Sequence, residues 1–116
     1  MKVIIADDRK PIRDTYRKIL DFVYDGRDVE VHEVDNGVDF HDRVVSGDYS
    51  LAITDHNMPG GNGLEAVVKI RKSGVAVPII MVSAAGIRER ALEEGVTSYF
   101  PKPFDFRNFC ATLKQY

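Results

Sequence analysis

Five side chains, far apart in the sequence, have the types needed for one chemistry: Asp7, Asp8, Asp55, Ser83 and Lys102. Each stands at the end of an apolar run. Val3-Ile4-Ile5-Ala6 leads into Asp7-Asp8, Leu51-Ala52-Ile53-Thr54 into Asp55, and Ile79-Ile80-Met81-Val82 into Ser83. A run from Val96 to Phe100 is followed, after Pro101, by Lys102. Three carboxylates without His or Cys companions make a hard, oxygen-rich set that selects Mg²⁺, with Mn²⁺ as the alternative, over zinc. Crowded acids repel one another, and a divalent cation relieves that repulsion. Lys102 adds a mobile cation for a phosphoryl oxygen or an acid partner, and Ser83 adds a hydroxyl. A carboxylate nucleophile, a metal, an ammonium and a hydroxyl are the minimal equipment for phosphoryl transfer onto Asp55. The product would be an aspartyl phosphate, a reactive mixed anhydride.

These groups meet only if the elements that carry them share one edge. Short apolar runs closed by turn residues read as buried strands, and such strands belong to parallel sheets covered by helices on both faces. Helical spacing follows Pro11, through Ile12, Tyr16, Ile19, Leu20 and Val23, with Asp8 or a neighbour near the cap. Asp25 to Asp28 is a turn, and Val29 to Val34 alternates enough to suggest a strand near the sheet edge. Val38, Phe40, Val44 and Val45 outline a short second helix after Asn36-Gly37. A third helix follows the turn Pro59 to Gly63, with Leu64, Val67, Val68 and Ile70 mainly on one face, and basic residues in its last turn. Ile87 to Glu94 is a fourth helix, closed by Gly95 as a C′ glycine. Phe104, Phe106, Phe109 and Leu113 mark a fifth after the rigid Pro101-Lys102-Pro103 junction. Strand and helix alternate five times, which argues for a doubly wound α/β fold. Right-handed crossovers then bring every strand end to one edge, with all five functional groups on it.

Bulk properties fit that reading and exclude others. A length of 116 residues with 44% hydrophobic content suits one domain with a real core. Sixteen Lys and Arg against eighteen Asp and Glu give a net charge of −2, no surplus for coating nucleic acid. Direct nucleic-acid binding is therefore not expected. The single cysteine, Cys110, cannot form an internal disulfide and fits a reducing compartment. The apolar N-terminal run is too short for a signal peptide, and Val75 to Ala85 is too short to cross a bilayer. A cytoplasmic protein is expected, with no membrane insertion.

At this point the residues carry a family resemblance. The chain resembles a response-regulator receiver domain of the kind found in bacterial chemotaxis regulators, over nearly all residues from Val3 to the last helix, which implies a single receiver domain over residues 1–116. The motifs are Asp7-Asp8, Asp55-x-Asn57-Met58-Pro59-Gly60, Ser83-Ala84, Tyr99 and Lys102-Pro103-Phe104. The resemblance implies a flavodoxin-like five-stranded parallel sheet of order 2-1-3-4-5 with helices on both faces. It implies that Asp55 accepts a phosphoryl group from a sensor histidine kinase or a phosphotransfer protein. Asp7 and Asp8 would hold Mg²⁺ with Asp55 and the backbone carbonyl of Asn57. Lys102 would pair with Asp55 and then with the phosphoryl, which Ser83 would bind. Tyr99 would turn inward as Ser83 moves, and the Lys102-Pro103 bond would be cis. Such a domain is a phosphoacceptor that assists its own phosphorylation and dephosphorylation, not a conventional enzyme. It acts on a downstream protein partner, and the family also allows a homodimer.

Three features depart from the family pattern. Asn62 stands where Asp is common, which is expected to affect only the turn. Ser83 and Lys102 are 102 − 83 = 19 positions apart, so the fourth helix is expected to lose about one turn. Pro101 precedes Lys102 and is expected to stiffen the last strand. The short helix and Pro101 motivate an alternative, a protein-binding module with the fold but without phosphorylation. A Mg²⁺-dependent phosphatase would need a second acid two residues after Asp55, where Asn57 stands.

Plainer roles compete for individual residues. Asp7-Asp8 alone would serve equally as a helix cap, Ser83 as a small packing residue and Tyr99 as a half-buried aromatic. His56 sits at a strand-to-turn position unsuited to a helical phosphohistidine donor and reads as a packing or surface residue. His32 and His41 lack metal-ligand spacing and read as surface. Gly60-Gly61-Asn62-Gly63 lacks the Lys-Ser/Thr of a phosphate loop and reads as a turn. Cys110 reads as core.

Overall fold

The computed structural model describes residues 1–116. Five strands alternate with five helices: β1 (Lys2–Ala6), α1 (Lys10–Val23), β2 (Glu30–Val34), α2 (Gly37–Ser46), β3 (Leu51–Thr54), α3 (Gly63–Lys72), β4 (Ile79–Ser83), α4 (Arg88–Glu93), β5 (Ser98–Pro101) and α5 (Phe106–Leu113). The strands form one parallel sheet of order β2-β1-β3-β4-β5. Successive side chains of a strand point to opposite faces. Ile4, Ala52, Ile79 and Met81 therefore pack with α2, α3 and α4 through Phe40, Val67, Ile70 and Ala91. Val3, Ile5, Leu51, Ile53, Ile80 and Val82 pack on the other face with α1 and α5 through Tyr16, Leu20, Phe109 and Leu113. Burial of each large apolar side chain favours the folded chain by about 1.5–3 kcal/mol. The doubly wound fold and its strand order are as expected. β2 is an edge strand with mostly half-buried side chains, which explains its alternating sequence.

The N-cap of α1 is Arg9, next to Asp8 as expected, with no side-chain cap bond. Other boundaries fall elsewhere. The last strand begins at Ser98 rather than Val96, because Val96 N–H closes the α4 turn onto Ala91 O. It runs to Pro101, which a strand end at a sheet edge tolerates. Asp105 caps α5 by accepting the Asn108 N–H, so Phe104 lies before the helix. Phe106 is exposed and leans on exposed Phe22 of α1, with ring centroids 6.1 Å apart. Within α2 only Phe40 and Val44 of the apolar positions face the core, and Val38 and Val45 are exposed. α4 has six residues, and Gly95 follows it in a left-handed conformation (φ +110°). His32 is half-buried, not free on the surface, with Nδ1 2.7 Å from the Tyr49 hydroxyl. Cys110 is core.

Candidate functional site

The strand order reverses at β1, so β1 and β3 lie side by side while their crossovers run to opposite faces. That reversal opens a crevice beyond the carboxyl ends of the two strands. Ladder hydrogen bonds carry the chain one residue past each strand and fix the groups there. Asp7 N–H donates to Val34 O (3.2 Å), Asp55 N–H to Ala6 O (3.0 Å), and Lys102 N–H to Ser83 O (3.0 Å). The Lys102-Pro103 peptide is cis.

Asp7, Asp8 and Asp55 converge. One carboxylate oxygen from each lies within 4.8 Å of the others. Asp7 and Asp55 are buried and Asp8 is exposed. Lys102 Nζ sits between the two buried acids, 3.1 Å from Asp55 Oδ2 and 3.4 Å from Asp7 Oδ2. Asp55 Oδ1 accepts the His56 N–H (2.6 Å), and Asp7 Oδ1 accepts the Arg9 N–H (2.9 Å). Two buried like charges are tolerable only with such partners. The ligand set is all oxygen, with one acid open to solvent, and fits a hard divalent ion such as Mg²⁺ that keeps part of its water. Asn57 is exposed in the following loop and lines the same cleft, whose volume is ≈ 740 Å³.

Ser83 and Tyr99 lie deeper. Ser83 ends β4 fully buried, and its Oγ accepts the Ala85 N–H (3.1 Å). Tyr99 of β5 is buried. Its hydroxyl donates to Ser83 O (3.3 Å) and accepts the Ile87 N–H just before α4 (3.4 Å). Arg88 Nη1 donates to Tyr99 O (3.1 Å). One aromatic thus ties the end of β4 to the start of α4.

Three residues at the site escape a reading of the sequence. Arg9 Nε lies 3.5 Å from Asp7 Oδ1 and Nη2 lies 3.7 Å from Asp55 Oδ2, a second cation opposite two acids. Tyr16, spaced as helical core, is buried and also lines the cleft. Burial, and then the charges of Asp7 and Asp55, push its phenol well above the ordinary range. His56 Nδ1 accepts the Leu64 N–H (3.3 Å) at the start of α3. Burial holds its imidazole below the ordinary histidine range, although Asp55 and Glu65 pull the other way. The basic type of Arg9 beside two acids was the one signal available beforehand.

Comparison with known proteins agrees with this geometry. The sequence matches the response regulator receiver domain family over residues 3–114. Transcriptional regulatory protein TctD of Salmonella typhimurium is 33% identical over 117 residues, covering 98% of this chain and 50% of TctD. The chain thus spans about half the length of that relative. Chemotaxis protein CheY-3 of Vibrio cholerae is 32% identical over 123 residues, covering 99% of this chain and 87% of CheY-3. Among solved structures, the CheY-like response regulator receiver domain protein of Methanospirillum hungatei matches with a TM-score of 0.84 at 26% identity. That match covers 98% of this chain and 90% of the other.

Proposed function

The chain belongs to the response regulator receiver domain family of two-component signalling, and on that premise we propose that residues 1–116 are one receiver domain working as a phospho-accepting switch. Asp55 takes a phosphoryl group from the phosphohistidine of a sensor histidine kinase or phosphotransfer protein. An Asp55 carboxylate oxygen bonds to phosphorus as the phosphorus–nitrogen bond breaks, and the imidazole leaves with the electron pair and takes up a proton. The observation that carries this reading is the meeting of Asp7, Asp8 and Asp55 within 4.8 Å, with Lys102 Nζ between Asp7 and Asp55. Asp7, Asp8 and Asp55, with the Asn57 carbonyl, would hold Mg²⁺. When bound, that ion neutralises charge on the transferring oxygens. Lys102 moves from Asp55 Oδ2 to a phosphoryl oxygen once the carboxylate has been used.

The switch is local. Ser83 Oγ gives up its bond from Ala85 N–H and donates to the phosphoryl. Tyr99, already inward beneath Ser83 O and Ile87 N, transmits that change to α4. A cytoplasmic setting fits the free Cys110 and the kind of donor, and no helix is long and apolar enough to cross a membrane. The donor docks over the cleft where it continues past Thr15 and Phe104 as an apolar groove of ≈ 380 Å³ beside exposed Phe22 and Phe106. Downstream, a protein partner or a second copy of the chain reads the changed surface.

Incubation with Mg²⁺ and acetyl phosphate, followed by intact mass, tests the proposal. The wild type is expected to gain one phosphoryl group and Asp55→Asn none. No gain in the wild type, with donor turnover verified, overturns it. The six-residue α4 and Pro101 in β5 favour a second reading, a binding module that signals without phosphate. That reading expects no gain in the same assay.

A further inference from the structure

We infer that Arg9 is a resident counter-ion of the Asp7–Asp55 pair, one that opposes divalent-cation binding before phosphorylation and favours the phosphoryl group after it. The inference rests on the reading of Asp55 as the phosphoacceptor. Lys102 and Arg9 approach the two carboxylates separately. Lys102 is mostly buried, whereas the Arg9 side chain is 53% exposed at the mouth of the cleft. Its guanidinium reaches one oxygen of Asp7 and one of Asp55, the same two groups a metal ion needs. Neither contact has hydrogen-bond geometry. Only the Arg9 backbone N–H, bonded to Asp7 Oδ1, is held closely. The side chain is therefore paired by charge and free to turn.

Charge decides what Arg9 does in each state. Three carboxylates against Lys102 and Arg9 leave one net negative charge at the site. A divalent ion takes that to one net positive charge, so the Arg9 charge is in excess. Replacing the Asp55 carboxylate by a dianionic acyl phosphate then brings the sum to zero. Without Arg9 the same three states carry two negative charges, none and one negative charge. Removing the guanidinium thus favours the ion and disfavours the phosphoryl group. Five donors in a planar fork suit Arg9 to phosphoryl oxygens in a way a lysine would not.

Two affinities of opposite sign test this. Mn²⁺ binding is measured by paramagnetic resonance, and beryllofluoride binding at saturating Mg²⁺ by fluorine NMR. Wild type is compared with Arg9→Gln and with Lys10→Gln, a neighbouring cation that pairs with Asp14 instead. Arg9→Gln is expected to bind Mn²⁺ about fivefold more tightly and beryllofluoride about fivefold more weakly, the scale of one solvent-exposed charge interaction. Lys10→Gln is expected to change either by less than about twofold. Equal affinities in Arg9→Gln and wild type overturn the inference, and so do shifts of the same sign. If the wild type binds neither Mn²⁺ nor beryllofluoride, the phosphoacceptor reading itself falls.

Discussion

Single residues at this site work through the company they keep. Glu33 of β2 shows how a charge outside the cleft supports it. Arg13 Nε donates to Oε1 (2.8 Å) and Arg17 Nε to Oε2, while Arg13 Nη1 also donates to Asp7 O (2.8 Å). The network joins α1 to β2 and to the backbone of a buried acid. Burial raises the Glu33 pKa, but hydrogen bonds and charge from Arg17 and Arg13 outweigh it, so the carboxyl titrates below its ordinary range. A depressed folded-state pKa contributes stability above the unfolded value of about 4.3, and that contribution is lost as pH falls through the folded value. Glu33→Gln is therefore expected to lower stability by about 1 kcal/mol at pH 7. In urea melts the gap to wild type shrinks as pH falls below the unfolded value. A gap that does not shrink as pH falls below that value would assign Glu33 a role independent of charge. Asp7, Asp55 and Lys102 were legible beforehand because residue type and strand-end position each restrict them. Arg9 and His56 were not, because their roles depend on side-chain direction at a turn. The imidazole of His56 acts as a neutral acceptor for Leu64 N–H, a role that its place beside Asp55 did not suggest.

At the scale of elements, the start of α3 governs how closely the helix approaches Asp55. Asn62 accepts the Glu65 N–H (2.8 Å) and donates to its carboxylate (3.0 Å), a reciprocal cap. This side chain begins a helix as well as ending the turn, a role that Asp would fill equally well. Gly63 is needed for a different reason. A Cβ there would lie 2.1 Å from Asp55 O, which accepts the Thr54 hydroxyl beside the site. Gly63→Ala is expected to cost about 2–3 kcal/mol by forcing α3 away from the end of β3. Asn62→Ala is expected to cost about 1 kcal/mol, and Asn62→Asp very little. Chemical denaturation orders the three variants, and a Gly63→Ala protein as stable as wild type would show that the junction can relax. Element existence was readable throughout, since each apolar run or helical stripe is long enough to bury. Edges were less so. Val96 is apolar yet serves the α4 turn, and Phe106 is aromatic yet faces out beside Phe22. Hydrophobicity signals burial but not which residues a turn diverts.

Across the whole molecule, packing falls off from the central strands to α4. The central strands β1, β3 and β4 have fully buried apolar side chains on both faces. α4 buries only Ala91, exposes Leu92, and starts at Ile87 without a side-chain cap. Its six residues form less than two turns, too few to be stable without tertiary support. That support comes through Tyr99, whose hydroxyl meets Ile87 N, and through Arg88 on Tyr99 O. Local opening follows such differences in packing. Amides of Arg88 to Glu94 are therefore expected to exchange at least about 100-fold faster than those of the three central strands. On the proposed reading, Mg²⁺ with beryllofluoride would act at the Asp55 end and reach α4 through Ser83 and Tyr99. It is expected to change exchange over Ala84 to Glu94 and at Tyr99, leaving α2 and β2 nearly unaffected. A response spread evenly over the fold would mean that the phosphoryl mimic stabilises the whole domain. A response absent from α4 would mean that the Tyr99 contacts hold the short helix in one state whatever occupies Asp55.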